Sequence, residues 1–378
     1  MTKALSKLPT LKPILKWVKS NVVLIIAIIA AIITSIIVKP DERYLEYFDF
    51  KTLSCLFCVL AVVCALRNIG FFYTMAREIV RRFKNARVAI LALVYITFIG
   101  SMLIANDMAL LTFLPLGYFI LSTTKKEKYL AFTFIMQNIA ANLGGMLTPF
   151  GNPQNLYLYS FFNIPDGEFI TIMLPPFLLA IALITVCCLV FVKNERLEIE
   201  EEAINIPMGR VVIYLILFAL SIMIVFRFMH FLVGLIIIPI ALLFLDRKAL
   251  LQVDYSLLFT FVFFFIFAGN MGRIDAVRDF FSYLLNINTL VFSALSCQAI
   301  SNVPSAILLS QFTDNYKELL LGVNIGGAGT LIASLASLIT FKNYMKRDPE
   351  HIGSYVLKFS LFNFSVLIIL TVFCLIIL

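Results

Sequence analysis

Charge is what this 378-residue sequence has least of: Asp, Glu, Lys and Arg make up 14% of it, against 61% for hydrophobic residues. A soluble domain carries roughly a quarter charged residues, and no soluble fold of this length has interior enough to hide so much apolar surface. Histidine is nearly missing, with only His230 and His351, and both fall at the ends of apolar runs. No Ser/His or His/Glu pattern lies in the apolar core, so the chain is not read as an enzyme. The Gly-x-x-x-x-Gly-Lys phosphate loop is absent, which excludes nucleotide-driven pumping by this chain alone and leaves an ATPase partner in trans open. Alternating apolar and polar strands are also lacking, which excludes a membrane β-barrel. The seven cysteines all sit inside apolar runs and read as small hydrophobes. Cys55 and Cys58 have the spacing of a redox or zinc pair, but no histidine or second pair accompanies them, so no metal is assigned.

What the chain has instead is long apolar runs. Asn21 to Val38 is eighteen residues without a charge, close to the length that crosses a bilayer as a helix. Spans are predicted near 21–38, 52–67, 128–156, 169–192, 211–228, 230–245, 255–269, 319–341 and 354–377. Between them lie two amphipathic stretches, 71–84 and 271–284. Each leads into a pair of apolar legs, 87–104 with 108–122 around Asn106-Asp107, and 286–300 with 304–312 around Ser301-Asn302. The first twenty residues carry five lysines ahead of a full-length span. That pattern, without a small-residue cleavage site, predicts a retained first helix. The net charge of +8 sits at the ends of apolar runs, so it speaks of orientation and not of nucleic acid. With both leg pairs as re-entrant hairpins, the N-terminal lysines, Arg81 to Lys84, Lys125-Lys126, Arg247-Lys248 and Lys342 to Arg347 fall in the cytoplasm. Pro40 to Asp49 and Asn163 to Glu168 fall outside. Nine crossings of an inner, plasma membrane then put the N-terminus in the cytoplasm and the C-terminus outside.

The chain also resembles itself. Asn68-Ile69-Gly70 matches Asn270-Met271-Gly272, Asn106 matches Asn302, and Asn142 to Thr148 matches Asn324 to Thr330 with four identities in seven positions, all polar or glycine. Further on, Asn152 and Asn155 fall opposite Ser334 and Ser337. The expected organisation is a first repeat over 1–193 with its N-terminal span, interfacial helix 71–84 and hairpin 87–122. A charged linker and linking span follow over 194–228, then a second repeat over 229–378 with hairpin 286–312. One odd linking span inverts the second repeat relative to the first, an architecture of many secondary transporters. The fold class is therefore an all-α polytopic membrane protein of inverted repeats, each with a re-entrant hairpin and a broken transmembrane helix.

Irregular backbone at membrane depth survives only inside protein or along a wet cavity. Gly144-Gly145 and the run Thr148-Pro149-Phe150-Gly151-Asn152-Pro153 must break their helix, because prolines remove donors and glycines loosen it. Broken ends expose amides and carbonyls that can replace the hydration of an ion or hold a carboxylate. The plainer alternative is helix packing on small residues. The expected substrate residues are Asn106, Thr148, Asn152, Asn155, Ser301, Asn302, Thr330, Ser334 and Ser337. The expected coupling residues are Asp107, Asn106, Asn142, Gly144, Gly145, Asn302, Asn324, Gly326 and Gly327, with sodium or a proton as the coupling ion and no resident cofactor. Asp107 is an acid inside an apolar stretch and so a functional candidate; the alternative is a helix cap facing a wet vestibule. Arg67 and Arg273, beside the Asn-x-Gly segments, read as membrane-surface anchors.

At Ala105 to Ala109, Asn142 to Asn155, Ser301 to Pro304 and Asn324 to Ser337 the chain resembles the ion transporter superfamily. That group includes citrate and dicarboxylate carriers, divalent anion–sodium symporters, arsenical pump membrane subunits and some sodium–proton antiporters. The resemblance implies two hairpins whose tips meet broken helices, and an elevator-like homodimer. The tips depart from the Ser-Asn-Thr of the sodium–dicarboxylate branch: here they read Ala-Asn-Asp and Ser-Asn-Val. The expected function is secondary, ion-coupled transport of a small anion, organic carboxylate or inorganic oxyanion. The alternatives are an arsenite or antimonite efflux permease, a sodium–proton antiporter and, less in keeping with the broken helices, a channel.

Overall fold

The computed structural model describes residues 21–197 and 206–378. The N-terminal lysines and positions 198–205 of the charged linker lie outside the described residues. The described residues are helical, with one isolated bridge between Asn85 and Arg196. Among the described residues seven helices are long and apolar enough to cross a bilayer, and three shorter apolar helices accompany them. The chain is an all-α, multi-pass membrane protein.

The first half runs α1 (Val22–Ile37), α2 (Phe50–Asn68), α3 (Phe71–Val80), α4 (Ala86–Ile104), α5 (Asn106–Thr123), α6 (Leu130–Gly144), α7 (Pro153–Phe161) and α8 (Asp166–Phe191). Then come α9 (Met208–Val225), α10 (Phe231–Leu245), α11 (Arg247–Leu251), α12 (Tyr255–Gly272) and α13 (Asp275–Ile287). The chain ends with α14 (Thr289–Ile300), α15 (Asn302–Leu309), α16 (Tyr316–Ile325), α17 (Leu335–Met345) and α18 (Ile352–Ile377). Local chemistry sets many of the starts. Asp49, Asn85, Asp254, Asn288 and Asn315 each accept a backbone N–H from the first turn of α2, α4, α12, α14 and α16, which satisfies donors the helix cannot.

Several expected boundaries move for such reasons. The amphipathic stretch expected over 71–84 is helical only to Val80, because Arg81 to Phe83 close it with turn bonds. The second hairpin's first leg begins at Thr289 and not 286, because α13 continues to Ile287 and Asn288 then caps a new helix. Its second leg starts at Asn302.

The packing is reciprocal between the halves. α1 lies along α12, and α10 lies along α2, so the first span of each half packs on the second span of the other. In the same way α5 packs on α17 and α15 on α7. Two acids finish the pattern. Asp41, after α1, pairs with Arg273 beyond α12 at 2.7 Å; Asp246, after α10, accepts from Asn68 at the end of α2 at 3.0 Å. Arg273 also donates to the Tyr47 hydroxyl at 3.1 Å, so at its exposed position it ties the loop after α1 to the end of α12. Arg67 is part-buried, with Nη1 3.3 Å from the Met108 sulfur. Near the base of the first hairpin, Glu195 accepts from Lys126, Lys128 and Tyr129. Its carbonyl takes the Ala86 amide at 2.8 Å. Those three donors hold its carboxyl down at about 2.

Candidate functional site

Two helix pairs meet at single non-helical residues. Ala105, between α4 and α5, sits at φ 65° and ψ 149°; Ser301, between α14 and α15, sits at φ 77° and ψ 158°. Neither is glycine, so each holds a strained backbone that its surroundings must fix. Immediately after each, an asparagine turns its side-chain oxygen onto the next amide: Asn106 Oδ1 accepts from Asp107 N and Asn302 Oδ1 from Val303 N, both at 2.9 Å. That local bond leaves each asparagine's amide group free to face the interior.

The two interrupted helices lie against these tips. α6 ends at Gly144, passes through a short 3-10 turn over Gly145–Leu147 and restarts at α7; α16 ends at Ile325 and restarts at α17. Only glycine fits at the crossings. A β-carbon on Gly144 would stand 2.2 Å from the Phe98 carbonyl oxygen, and one on Gly326 would stand 2.8 Å from the Cys297 sulfur. Both contacts are on the first leg of the neighbouring hairpin. Each break is tied to its tip by a threonine: Thr148 Oγ1 donates to the Met102 carbonyl at 2.7 Å and Thr330 Oγ1 to the Gln298 carbonyl at 3.1 Å. Met102 and Gln298 stand three residues before Ala105 and Ser301.

Between the breaks lies a buried amide cluster. Asn106 Nδ2 donates to Asn142 Oδ1 at 3.4 Å. Asn152 Nδ2 donates to the Asn142 carbonyl and to Asn324 Oδ1, both at 3.3 Å, so it joins the two halves. Asn324 Nδ2 donates to Asn155 Oδ1 at 2.6 Å, and Asn155 Nδ2 collects the carbonyls of Gly145, Met146 and Thr148. A β-carbon on Gly327 would stand 3.2 Å from Asn302 Nδ2 and 3.5 Å from Asn142 Oδ1, which places the second tip beside the same cluster. Asn302 N donates to the Ala333 carbonyl at 2.9 Å. The N-termini of α5, α7, α15 and α17 are thus gathered around one polar centre, each offering partial positive charge.

The structure brings together Asn106, Asn142, Asn152, Asn155, Asn302, Asn324, Gly145 and Gly327. Thr148 and Thr330 spend their hydroxyls on the hairpins. Ser334 caps α17 by accepting from Ser337 N at 3.1 Å, and the two hydroxyls bond each other. Ser301 turns toward the Ala333 carbonyl at 3.3 Å. Gly144 and Gly326 serve close packing.

Three residues escaped the sequence reading. Gln154 Nε2 donates to Asn324 Oδ1 at 3.4 Å, and its own Oε1, like Asn152 Oδ1, is buried without a partner. A register comparison against Ser334 and Ser337 passes over it. Gln298 accepts the Thr330 amide at 2.9 Å. Asp254 caps α12 and lines one cavity with Asp107, Ala105, Met108, Phe150 and Pro153. Asp107 Oδ1 is buried and unpartnered. Its amide is capped by Asn106, so its carboxylate is left for something other than its own helix terminus.

The sequence profile of the citrate transporter family matches residues 13–316. A Methanocaldococcus jannaschii protein named an uncharacterized transporter is 33% identical over 325 residues, covering 85% of this chain and 88% of its own length. The inner membrane protein YbiR of Escherichia coli is 29% identical over 306 residues, 78% of this chain and 80% of that protein. The silicon efflux transporter LSI3 of Oryza sativa matches a shorter part, 28% identical over 143 residues, 38% of this chain and 29% of its own.

Proposed function

The chain belongs to the citrate transporter family, and from that membership we propose a secondary active transporter that carries a small anion, organic carboxylate or inorganic oxyanion, across the plasma membrane. The observation that carries the reading is the bridge made by Asn152, which reaches Asn142 in its own half and Asn324 in the other while four helix N-termini face the same centre. Helix N-termini attract anions, and neutral amides can bind and release them without a fixed opposing charge.

The two halves act as inverted repeats, the tips as re-entrant hairpins, and the hairpins with their broken helices as one moving body. α1, α2, α9, α10 and α12 form the frame, in a homodimer with N-termini cytoplasmic and C-termini outside. A coupling ion belongs to the first half. The unpartnered oxygens of Asn152 and Gln154 suit a hard cation such as sodium, which takes oxygen ligands and would offset substrate charge. Asp107 suits a proton. Motion of the loaded body past the frame alternates access, sliding along the contacts of α2 with α7 and of α12 with α15.

A second reading has its own observation. A carboxylate brings acceptors only, whereas Asn152 Oδ1 and Gln154 Oε1 are acceptors in want of donors. An uncharged hydroxyl-bearing oxyacid would supply those donors, which favours efflux of an arsenite- or silicate-like species, in keeping with the silicon efflux relative.

Proteoliposome uptake and thermal-shift screening against citrate, succinate, sulfate, arsenite and silicic acid, each with and without sodium and across pH, separates the two readings. Saturable uptake of a carboxylate or sulfate supports the first; response to arsenite or silicic acid alone supports the second; no solute moved by either route defeats both.

A further inference from the structure

A second place for an anion lies away from the amide cluster, where the loop after α9 meets the far end of α7. Arg227 holds φ 64°, uncommon for a residue with a side chain. Its guanidinium lies over the Tyr159 ring, 4.2 Å from the centroid, and Nη2 donates to the Tyr159 carbonyl at 2.7 Å. The Tyr159 hydroxyl is in turn held by Asp166. Three features of the guanidinium are thereby fixed: one face is covered by the ring, one nitrogen is used, and the Nε edge is buried without a partner.

α2 packs along α9 and against α7, and Lys51, half-buried in its first turn, lies within electrostatic reach of both Arg227 and Asp49. Among the described residues neither cation has a carboxylate within ion-pair distance. Asp49, the nearest acid in sequence to Lys51, is occupied in capping α2, accepting from Thr52 N at 2.9 Å. Asp166 is occupied by Tyr159. Two like charges held near each other, offset for Lys51 only through space by Asp49, with a desolvated donor between ring and backbone, form an arrangement that an anion at bonding distance would complete.

We infer that Lys51 and Arg227 form a second anion site, specific for a carboxylate or tetrahedral oxyanion, that gathers the substrate at this end of the frame. The inference rests on the anion reading of the function. Its position suits capture: Phe226, next to Arg227, packs edge-on against Phe150 of the helix break at 5.9 Å, and Phe150 lines the cavity that holds Asp107. The Arg227 loop therefore adjoins the break itself. Basic groups at a mouth raise the local concentration of an anion without needing to travel with it.

The test is calorimetric titration of the purified full-length protein with citrate and with sulfate, at fixed ionic strength in chloride. The site predicts that Lys51→Gln weakens one binding event for at least one anion by about tenfold or more. Arg227→Gln should do the same, and Arg227→Lys, which keeps charge but not the Nε edge, should fall between. Because Arg227 also steadies Tyr159, Lys51→Gln is the deciding variant. Identical titrations of wild type and Lys51→Gln with both anions overturn the site, as does wild-type protein that binds neither. The central reading fails separately: if Asn302→Ala removes binding and Lys51→Gln does not, the amide cluster stands and the outer site falls. If Lys51→Gln weakens binding while proteoliposomes transport nothing, the outer site stands and the transport reading falls.

Discussion

At the first tip Ala105 sits at φ 65° and ψ 149°, and at the second Ser301 sits at φ 77° and ψ 158°, yet the residue after the shared asparagine is Asp107 in one and Val303 in the other. The threonine ties repeat the same contrast of like geometry and unlike chemistry. Thr148 and Thr330 reach carbonyls at equivalent positions, but the first break carries Pro149, Pro153 and Gln154 where the second relies on Gly329 at φ 133°. Backbone shape has been kept across the halves while charge and buried acceptors have gathered in the first. A structure that needed two equivalent substrate contacts would keep both sets of side chains. Under the function proposed above, that difference is the reason to look for ion coupling in the first half and for the plainer task of shape in the second.

The largest test of that comparison is steric. Gly144→Ala drives a β-carbon to 2.2 Å from the Phe98 backbone, whereas at Gly326 the closest contacts are the Gly322 carbonyl at 2.7 Å and the Cys297 sulfur at 2.8 Å. Overpacking costs about 1–3 kcal/mol in general, and Gly144→Ala should lie at or beyond the upper end because backbone cannot step aside. Its melting temperature and monodisperse yield should fall well below those of Gly326→Ala. Equal losses would show that the two breaks are packed alike.

Charge is the next test. Moving one elementary charge across the membrane is worth about 2.3 kcal/mol per 100 mV, so a coupling carboxylate governs accumulation strongly. Asp107→Asn should abolish the dependence of uptake on a pH gradient, while counterflow exchange and any sodium dependence survive. Val303→Asp should not transfer coupling to the second half, since Asp254 and the cavity belong to the first tip. Asp107→Asn transport with its pH dependence intact would reduce Asp107 to a helix residue.

The two N-caps of the restarted helices sharpen the contrast further. Asn152→Ala removes the bridge to Asn324 and should raise KM for the transported solute by about tenfold, the worth of one or two buried amide bonds. Ser334→Ala removes a cap bond to Ser337, so it should lower stability by about 1 kcal/mol and leave KM alone. Proteoliposome kinetics on both variants separates binding from folding; matching KM changes would mean that Ser334 also meets the solute.

Much of this was legible in the sequence because polar residues stand out in apolar runs. Asn106, Asn142, Asn302 and Asn324 are such residues, and their register against each other gave the tips and breaks. The missing parts are pairings between distant positions. Gln154 bonds Asn324 across 170 positions. Asp254 reads as an ordinary cap until α12 packs near the first tip, and only folding brings Lys51 within electrostatic reach of Arg227. Arg67 and Arg273 were expected at the membrane surface because a cation at the end of a span usually sits there. Their partners Met108 and Asp41 lie 41 and 232 positions away, the first part-buried and the second exposed.

The smallest expected effect concerns how each hairpin is fastened at its base. In the first half Glu195 collects Lys126, Lys128 and Tyr129; in the second Glu318 accepts from the Leu290 amide at 3.1 Å and from Asn315 Nδ2. The Glu195 carboxyl is held down at about 2, first by its bond from Lys126 and then by Lys128 and Tyr129, whereas an unfolded glutamate titrates near about 4.3. Its contribution is therefore complete above pH 4.3 and is lost as pH falls toward 2. These groups are near solvent, so the contribution is modest and weakens with salt. Glu195→Gln should lower the melting temperature slightly at pH 7 and flatten the acid limb of a melting-temperature profile between pH 4.5 and 2.5. High salt should bring wild type toward the variant. An unchanged acid limb would mean that the backbone bond to Ala86 alone fastens the first hairpin, as the bond from Leu290 fastens the second.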